Sequence, residues 1–474
     1  MEPSPELTLE TTPIPGLLLL RLPVHEDGRG WFKENWQREK MVALGLPDFG
    51  PVQNNVSHNA RRGVTRGIHA EPWDKLVSVT TGRVFAAWVD LRRGDSFGST
   101  FHVEVDPSVS VFVPRGVGNS YQALEDGTSY SYLVNDHWRA GVTYPAVHLG
   151  DPDVAVPWPI PLDEADVSEK DRANPLLADV VPMEPHRTLI IGANGQLGRA
   201  LSVDFPEADR ADLAGADRVL DVTDPAGVAA WPWQEYDLVL NAAAYTAVDD
   251  AEAPEGRRTC WAANAQAPAT LARLARDHHF TLVHYSTDYV FDGTAESHTE
   301  AEPFSPLGVY GQSKAAGDLA VGSAPRHYLL RTSWVIGDGH NFVRTMQSLA
   351  ERGVSPSVVD DQVGRLTFTG ELSRATRHLV ETGAAYGTYN VTNDGPPTSW
   401  ADLAREVFRL AGRDSEDVVR VSTEEYAAGK SLAPRPACSV LGLEKLIGTG
   451  FVPEDALTAL ARYCRRESGA DRTA

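Results

Sequence analysis

The stretch TLVHYSTDYVFDG at residues 281–293, followed after a polar gap by SPLGVYGQSK at 305–314, decides the fold of the second half of this chain. Its apolar opening, bounded by polar residues, predicts a buried strand of a parallel sheet. Such sheets bind ligands beyond the C-terminal ends of their strands, where Ser286, Thr287 and Asp288 fall. Tyr310 and Lys314 stand four residues apart, so a helical segment would carry both on one face. The ammonium would favour a more acidic phenol. That phenol could donate a proton to a substrate carbonyl oxygen as hydride arrives, with Thr287 as a second donor. Tyr-x-x-x-Lys alone is common on solvated helix faces, so its meaning depends on a dinucleotide site upstream.

That site is expected in TLIIGANGQLGRAL, residues 188–201. An apolar run ends at Gly192, and Gly195 and Gly198 follow at intervals of three, interleaved with Asn194, Gln196 and Leu197. Glycines between a strand and a helix let backbone approach a pyrophosphate at the helix N-terminus. Their spacing is similar to that of extended short-chain dehydrogenases. YDLVLNAAAYTAVDDAE, from Tyr236, predicts a strand ending at Asn241, then small residues Ala242, Ala243 and Ala244 where bulk would collide with a cofactor. Thr246 and Val248 follow. HYLLRTSWVIG predicts another strand that brings Trp334 near its end, and VVDDQVGRLT offers Gln362 and Arg365 in a polar loop. Ser399 with Asp402 predicts the start of an amphipathic helix. No acidic residue is clearly placed for a ribose 2′-hydroxyl. Arg210 lies where it could meet a 2′-phosphate, and Asp221 is expected beside the adenine. NADPH is therefore favoured, with NADH possible.

GANGQLG, NAAAYTAVDDAE, STDYVFDG, Y-x-x-x-K, RTSWVIG and DQ-x-G together resemble the dTDP-4-dehydrorhamnose reductase family, over about residues 187–465. The resemblance implies a Rossmann-like doubly wound sheet with a small C-terminal substrate lobe. It implies that Tyr310 protonates the C4 oxygen, that Thr287 helps hold it, and that Lys314 binds the nicotinamide ribose. Substrate contacts implied in the same way are Thr246, Val248, Asp288, Tyr289, Trp334, Gln362 and Arg365. Leu366 stands where the family has Pro. A divalent metal is possible, with no readable ligand set.

Residues from about 10 to 160 read differently. Short alternating segments divided by Gly, Pro and Asp, such as FHVEV and VSVFV, mean a β-sandwich or barrel. LVSVTTGRVFAAWVDLR reads as two strands around Gly82. Polar residues gather in EDGRGWFKE (Arg29, Glu34), QNNVS (Gln53, Asn55), TRGIHAEPWDK (Arg66, His69, Lys75) and SEKD, ending at Asp171. In this order the segments resemble the dTDP-4-dehydrorhamnose 3,5-epimerase family, a metal-independent cupin-type jelly roll. The resemblance implies His69 as base, Asp171 supporting its imidazolium, Lys75 holding an enolate and Tyr132 reprotonating from the opposite face. Arg29 and Arg66 would clamp the diphosphate, with Glu34, Gln53, Asn55 and Trp138 as further substrate contacts. No His-x-His appears in this half, so a cupin metal centre is a poor reading. Asn119 stands where the family has an active-site His, and His137-Trp138 where it often has a Tyr pair.

The chain of 474 residues is long enough for two or three domains. The expected division is 1–171, a Pro-rich linker 172–186, and 187–474. A net charge of −22 argues against nucleic acid or an anionic membrane as partner. PGLLLLRLPV near the N-terminus is too short to span a bilayer. Three scattered cysteines (Cys260, Cys438, Cys464) fit a cytoplasmic protein. The two resemblances name consecutive reactions leading to dTDP-L-rhamnose, and a homodimer is expected from the first. The rival expectations are an epimerase and reductase of another dTDP-4-keto-6-deoxy sugar, and a non-catalytic NADP-binding regulatory subunit.

Overall fold

The computed structural model describes residues 6–137 and 143–467. The chain divides into two compact units, Met1–Pro185 and His186–Ala474.

In the first unit two sheets, one of six strands and one of five, share a core. Leu19, Val77, Val79, Val111 and Tyr130 come from one, and Val84, Ala86, Trp88, Val117 and Tyr121 from the other. Period-2 alternation buries one face of Gln53–Asn59, whereas Val84–Asp90 and Val109–Val113 are buried throughout. The strands Lys75–Thr81 and Val84–Asp90 flank Gly82 as expected, but they belong to different sheets, so Gly82 carries the chain across the core rather than closing a hairpin. At Gly82 φ is +78°, and a side chain would meet Thr128 Oγ1 at 2.4 Å. Residues 172–185 fall within this unit. Leu177 N donates to Asp151 (2.7 Å), and Met183 forms a bridge with Arg92.

The second unit is built on seven parallel strands in the spatial order 218–219, 209–212, 187–191, 236–241, 281–287, 327–332, 387–390. The chain steps to one edge, returns, and leaves a switch point between Arg187–Ile191 and Tyr236–Asn241, the place where such sheets bind ligands. Its central strands, such as Thr281–Thr287 and His327–Thr332, are almost wholly buried because both faces are covered. Leu189 and Ile191 pack with Leu271 and Val321 on one side, while Ile190 packs with Leu201, Leu372 and Leu379 on the other. A separate core of Met346, Val407, Phe408 and Leu460 forms a smaller lobe. In it Ser399 accepts from Asp402 N (3.0 Å) and caps the helix Trp400–Leu410.

Candidate active sites

In the first unit a cavity of about 280 Å³ opens between the two sheets. It gathers Gln53, Asn55, Arg66, His69, Lys75, Asn119, Tyr132 and Asp171, eight of the residues expected from sequence. His69 ends the strand Val64–His69 of the five-stranded sheet, while Tyr132 and Lys75 belong to the six-stranded sheet. A ligand between them meets an imidazole on one face and a phenol on the other.

The short strand Asp166–Val167 runs parallel to Val64–Thr65 and delivers the helix Glu169–Arg172, capped by Ser168, so that Asp171 Oδ1 lies 2.8 Å from His69 Nε2. Burial works to raise the Asp171 carboxyl, but contact with His69, Ser168 and the Gly67 amide outweighs it and holds the group below the usual carboxylate range. The acid therefore stays charged beside the imidazole. Gly67, at φ +113°, is required here because a Cβ would meet Ser120 Cβ at 2.5 Å and Asn119 O at 2.7 Å. Burial, then the Glu71 carboxylate, raise the Tyr132 phenol, so the group keeps its proton at neutral pH but is a weaker acid than a free tyrosine.

Several members of this cavity carry no signal that sequence reasoning used. Glu71 forms an ion pair with buried Lys75, so any group that reaches this ammonium competes with a carboxylate. The Tyr130 hydroxyl donates to Asn119 Oδ1 (3.0 Å), leaving the Asn119 amide nitrogen as the donor. Tyr121 stacks on Tyr130 at 4.2 Å, and Tyr144 packs edge-on to His69 at 6.2 Å. Arg29 and Glu34 do not line the cavity. Exposed Arg29 pairs with Asp27 (2.5 Å), and Glu34 with Lys40 (2.6 Å). Trp138 lies outside the described residues.

In the second unit, Gly192, Gly195 and Gly198 form a cradle, tight enough at Gly192 and Gly198 to exclude side chains. A Cβ at Gly192 would meet Ala243 N at 2.7 Å, and one at Gly198 would meet the Gly192 carbonyl at 2.1 Å. The helix Gln196–Asp204 begins here with no side-chain cap, so its first amides remain for an anion. Asn194, Leu197 and Ala242–Ala244 border the same turn, while the Gln196 carboxamide accepts from Gly337 N (2.9 Å). These features fit a dinucleotide pyrophosphate. Two expectations about its ribose change. Asp212 ends the second strand, twenty residues past Gly192, where an acid meets a ribose 2′-hydroxyl, and its Oδ2 accepts from Asn194 N (2.8 Å). Arg210 is turned to Asp217 (2.8 and 2.9 Å), and Asp221 accepts from Thr223.

Thr287 ends the strand Thr281–Thr287, and Tyr310 and Lys314 lie on the helix Val309–Val321. The Lys314 ammonium, 2 % exposed, donates to the Tyr285 carbonyl (2.5 Å), and burial lowers it to about 8. The Tyr310 phenol is displaced upward, not downward. Burial dominates, the Asp288 carboxylate adds to it, and only the hydrogen bond with Thr287 opposes it. The ammonium bonds backbone rather than phenol, so its expected acidifying effect is absent in this arrangement. Tyr289 packs edge-on to Tyr310 (5.8 Å), and both line a narrow crevice with Val248, Glu252 and Pro434.

Pro434 and its neighbours were not legible as site residues. Arg435 donates to Asp249 (2.9 Å) and hydrogen-bonds Tyr289, fixing the segment 433–436 against the crevice. Thr246 is exposed. Trp334, at φ +45°, stacks on Trp400 at 3.7 Å; Gln362 donates to Thr423, and Arg365 to the Gly395 and Leu441 carbonyls. These last three are thus engaged within the protein rather than lining the crevice beside Tyr310. Among the described residues no group of His, Cys, Asp and Glu could hold a metal ion, and no helix is long and apolar enough to cross a membrane.

Comparison with known proteins follows the same division. The family model for dTDP-4-dehydrorhamnose 3,5-epimerase matches residues 11–179, and that for the RmlD substrate binding domain matches residues 186–468. A protein RmlC homolog of Streptococcus pyogenes is 49% identical over 37% of this chain and 92% of its own length. A probable dTDP-4,6-dihydroxy-2-methyloxan-3-one 4-ketoreductase of Streptomyces antibioticus is 43% identical over 56% of this chain and 90% of its own. Among solved structures, the Bacillus anthracis dTDP-4-dehydrorhamnose reductase in complex with NADP is 32% identical, covers 60% of this chain and 99% of its own, and superposes with a TM-score of 0.53.

Proposed function

The chain belongs to the dTDP-4-dehydrorhamnose 3,5-epimerase family over its first half and to the RmlD family over its second, and from that premise we propose that it catalyses two consecutive steps of dTDP-L-rhamnose synthesis. The first domain epimerises dTDP-4-dehydro-6-deoxy-D-glucose at C3 and C5, and the second reduces the C4 ketone with NADPH. In finer detail, the first half is a cupin-type jelly roll, and the second a Rossmann-like doubly wound sheet with a substrate lobe. The observation that carries the reading is a His–Asp pair facing a tyrosine across one cavity, on the same chain as a Tyr–Lys helix beside a glycine cradle.

Epimerisation needs a base, a stabilised enolate and an acid on the opposite face. His69 takes the proton next to the ketone, and Asp171 supports the resulting imidazolium. Lys75 and the Asn119 amide hold the developing oxyanion, and Tyr132 returns a proton from the other sheet. In the second domain the bound dinucleotide supplies hydride to C4. Tyr310 gives the ketone oxygen its proton while Thr287 holds that oxygen. Asp212 supports acceptance of NADH beside NADPH, since a carboxylate can accept from an unphosphorylated ribose. Cys260, Cys438 and Cys464 form no disulfide, which supports a reducing, cytoplasmic setting. A homodimer accompanies the reading.

Addition of NADPH and dTDP-4-dehydro-6-deoxy-D-glucose should oxidise one equivalent of cofactor per sugar. Binding of both ligands without oxidation would favour a regulatory subunit instead. A second reading, a different dTDP-4-keto-6-deoxy sugar as substrate, is favoured by Asn119 and by the name of the Streptomyces antibioticus relative. Product stereochemistry separates the two.

A further inference from the structure

His298, in the segment that leads to the helix Val309–Val321, has a fully buried side chain with a partner at each ring nitrogen. Nδ1 faces both carboxylate oxygens of Glu302 (2.9 and 3.0 Å), and Nε2 faces the Cys438 carbonyl (3.1 Å). A carboxylate and a carbonyl only accept, so each contact needs an N–H. A neutral imidazole has one, and the two contacts together require the second ring proton. The ring also stacks on Phe291 at 4.7 Å and 4°, a face that suits a cation.

Cys438 belongs to the stretch whose Ala433, Pro434 and Pro436 wall the crevice beside Tyr310, and its neighbour Ser439 hydrogen-bonds Asp288. This stretch runs close against Gly293, where a Cβ would meet Pro436 Cβ at 2.5 Å and the Cys438 carbonyl at 2.8 Å. Asp249 fixes one end of it, accepting from the Ala433 amide and from Arg435 (2.9 Å each). His298 fixes the other. We propose that His298, doubly protonated, is a positioning residue of the reductase site: it pins the Cys438 carbonyl, so sets the crevice wall for the sugar nucleotide, and releases that wall as the pH rises. The proposal rests on the reductase reading.

When the second proton leaves to water, the Glu302 carboxylate is the charged and stronger acceptor, so it keeps the remaining N–H at Nδ1. Nε2 then turns a lone pair toward the Cys438 carbonyl, and a hydrogen bond becomes a repulsion. The main chain of His298 stays in place meanwhile. Its N–H donates to the Val440 carbonyl (2.8 Å), and its carbonyl accepts from Gly442 N and Asn390 Nδ2 (2.9 Å each). The crevice wall yields, not the fold. Around the ring, Glu302 and Asp292 supply negative charge from its own segment. Arg331, from the strand His327–Thr332, lies over Phe291 (5.3 Å) but is paired with Asp318 (3.0 Å). Glu300 is engaged by the Asn390 amide (3.0 Å) on the neighbouring strand, and Asp288 meets the stretch through Ser439.

The test compares wild type with His298→Gln and His298→Asn in the full chain. Glutamine offers Cys438 an amide N–H near the place of Nε2 that does not titrate, whereas asparagine reaches only Glu302. NADPH oxidation by preformed 4-keto-L-sugar, at saturating NADPH, gives the sugar KM from pH 6 to pH 8.5. Over that range the wild-type KM should rise about tenfold relative to that of His298→Gln, the low side of what a hydrogen bond to a charged group is worth. His298→Asn should show the high KM at every pH, and the KM for NADPH should be the same in all three. Asp288 and Lys314 titrate in this range in every chain, so the ratio cancels them. Alkylation of Cys438 by iodoacetamide, located by mass spectrometry, reads the wall without turnover, and it should accelerate with pH more steeply in wild type than in His298→Gln. Equal KM and alkylation profiles in those two chains overturn the proposal. Should His298→Gln fail to fold, a wild-type pH profile in His298→Asn overturns it equally. No turnover by wild type, with alkylation still diverging, overturns the reductase reading and leaves the latch standing.

Discussion

Replacing Lys314 by methionine should make the second domain more stable and, by removing the group proposed to bind the nicotinamide ribose, abolish its chemistry. The ammonium is 2 % exposed and titrates near 8, where a free lysine titrates at 10.5. At about 1.4 kcal/mol for each factor of ten in proton affinity, holding it charged costs the fold about 3 kcal/mol at neutral pH. The sign follows from which state binds the proton. Between pH 8 and 10.5 the unfolded chain keeps a proton that the folded one has lost, so the cost is full below 8 and fades as pH rises through that window. Methionine fills a similar volume without charge but leaves the Tyr285 carbonyl without its 2.5 Å donor, a loss of about 1 kcal/mol. The net gain is about 2 kcal/mol, or about 4–8 °C in the melting of this domain. Thermal unfolding of Lys314→Met at pH 7 and pH 10, alongside NADPH oxidation, reads both effects. A variant less stable than wild type at pH 7, or an advantage that grows with pH, would refute the burial argument. Retained turnover would refute the assigned role.

Other perturbations separate the two sites. Gly198→Ala places a Cβ 2.1 Å from the Gly192 carbonyl, so dinucleotide affinity by fluorescence titration should fall at least about tenfold while epimerisation is untouched. His69→Ala should stop solvent deuterium entering at C3 and C5 yet leave reduction of preformed 4-keto-L-sugar at the wild-type rate. Continued exchange would mean that another group is the base. Asp212→Ala should raise the KM for NADH about tenfold, the worth of one hydrogen bond to a charged group, and change that for NADPH far less. Equal effects on both would remove Asp212 from the ribose.

What sequence could reveal here follows from how locally each feature is encoded. The glycine cradle, the strand that ends at Thr287 and the Tyr310–Lys314 face are each written in one short segment, whose periodicity and spacing survive folding intact. The cavity residues Gln53, Arg66, His69 and Asp171 were legible because their segments resemble a family in order. Glu71, Tyr121 and Tyr130 join them only when two sheets close over one core. Asp212 was hidden because its role depends on where the second strand stops. Arg435 is 186 residues from its partner Asp249, and no periodicity links positions so distant. The acidity of Tyr310 was misjudged for a related reason. Helical spacing puts Lys314 on its face, but tertiary burial and the Tyr285 carbonyl decide where the ammonium points.

The central claim is that one chain epimerises and then reduces the same 4-keto sugar. It is tested most directly by incubating the protein with dTDP-4-dehydro-6-deoxy-D-glucose and NADPH in D₂O and reading the product by NMR. The account predicts dTDP-L-rhamnose with deuterium at both C3 and C5, formed in step with NADPH oxidation. A reduced sugar that keeps the D-configuration, or carries deuterium at one carbon only, would contradict it.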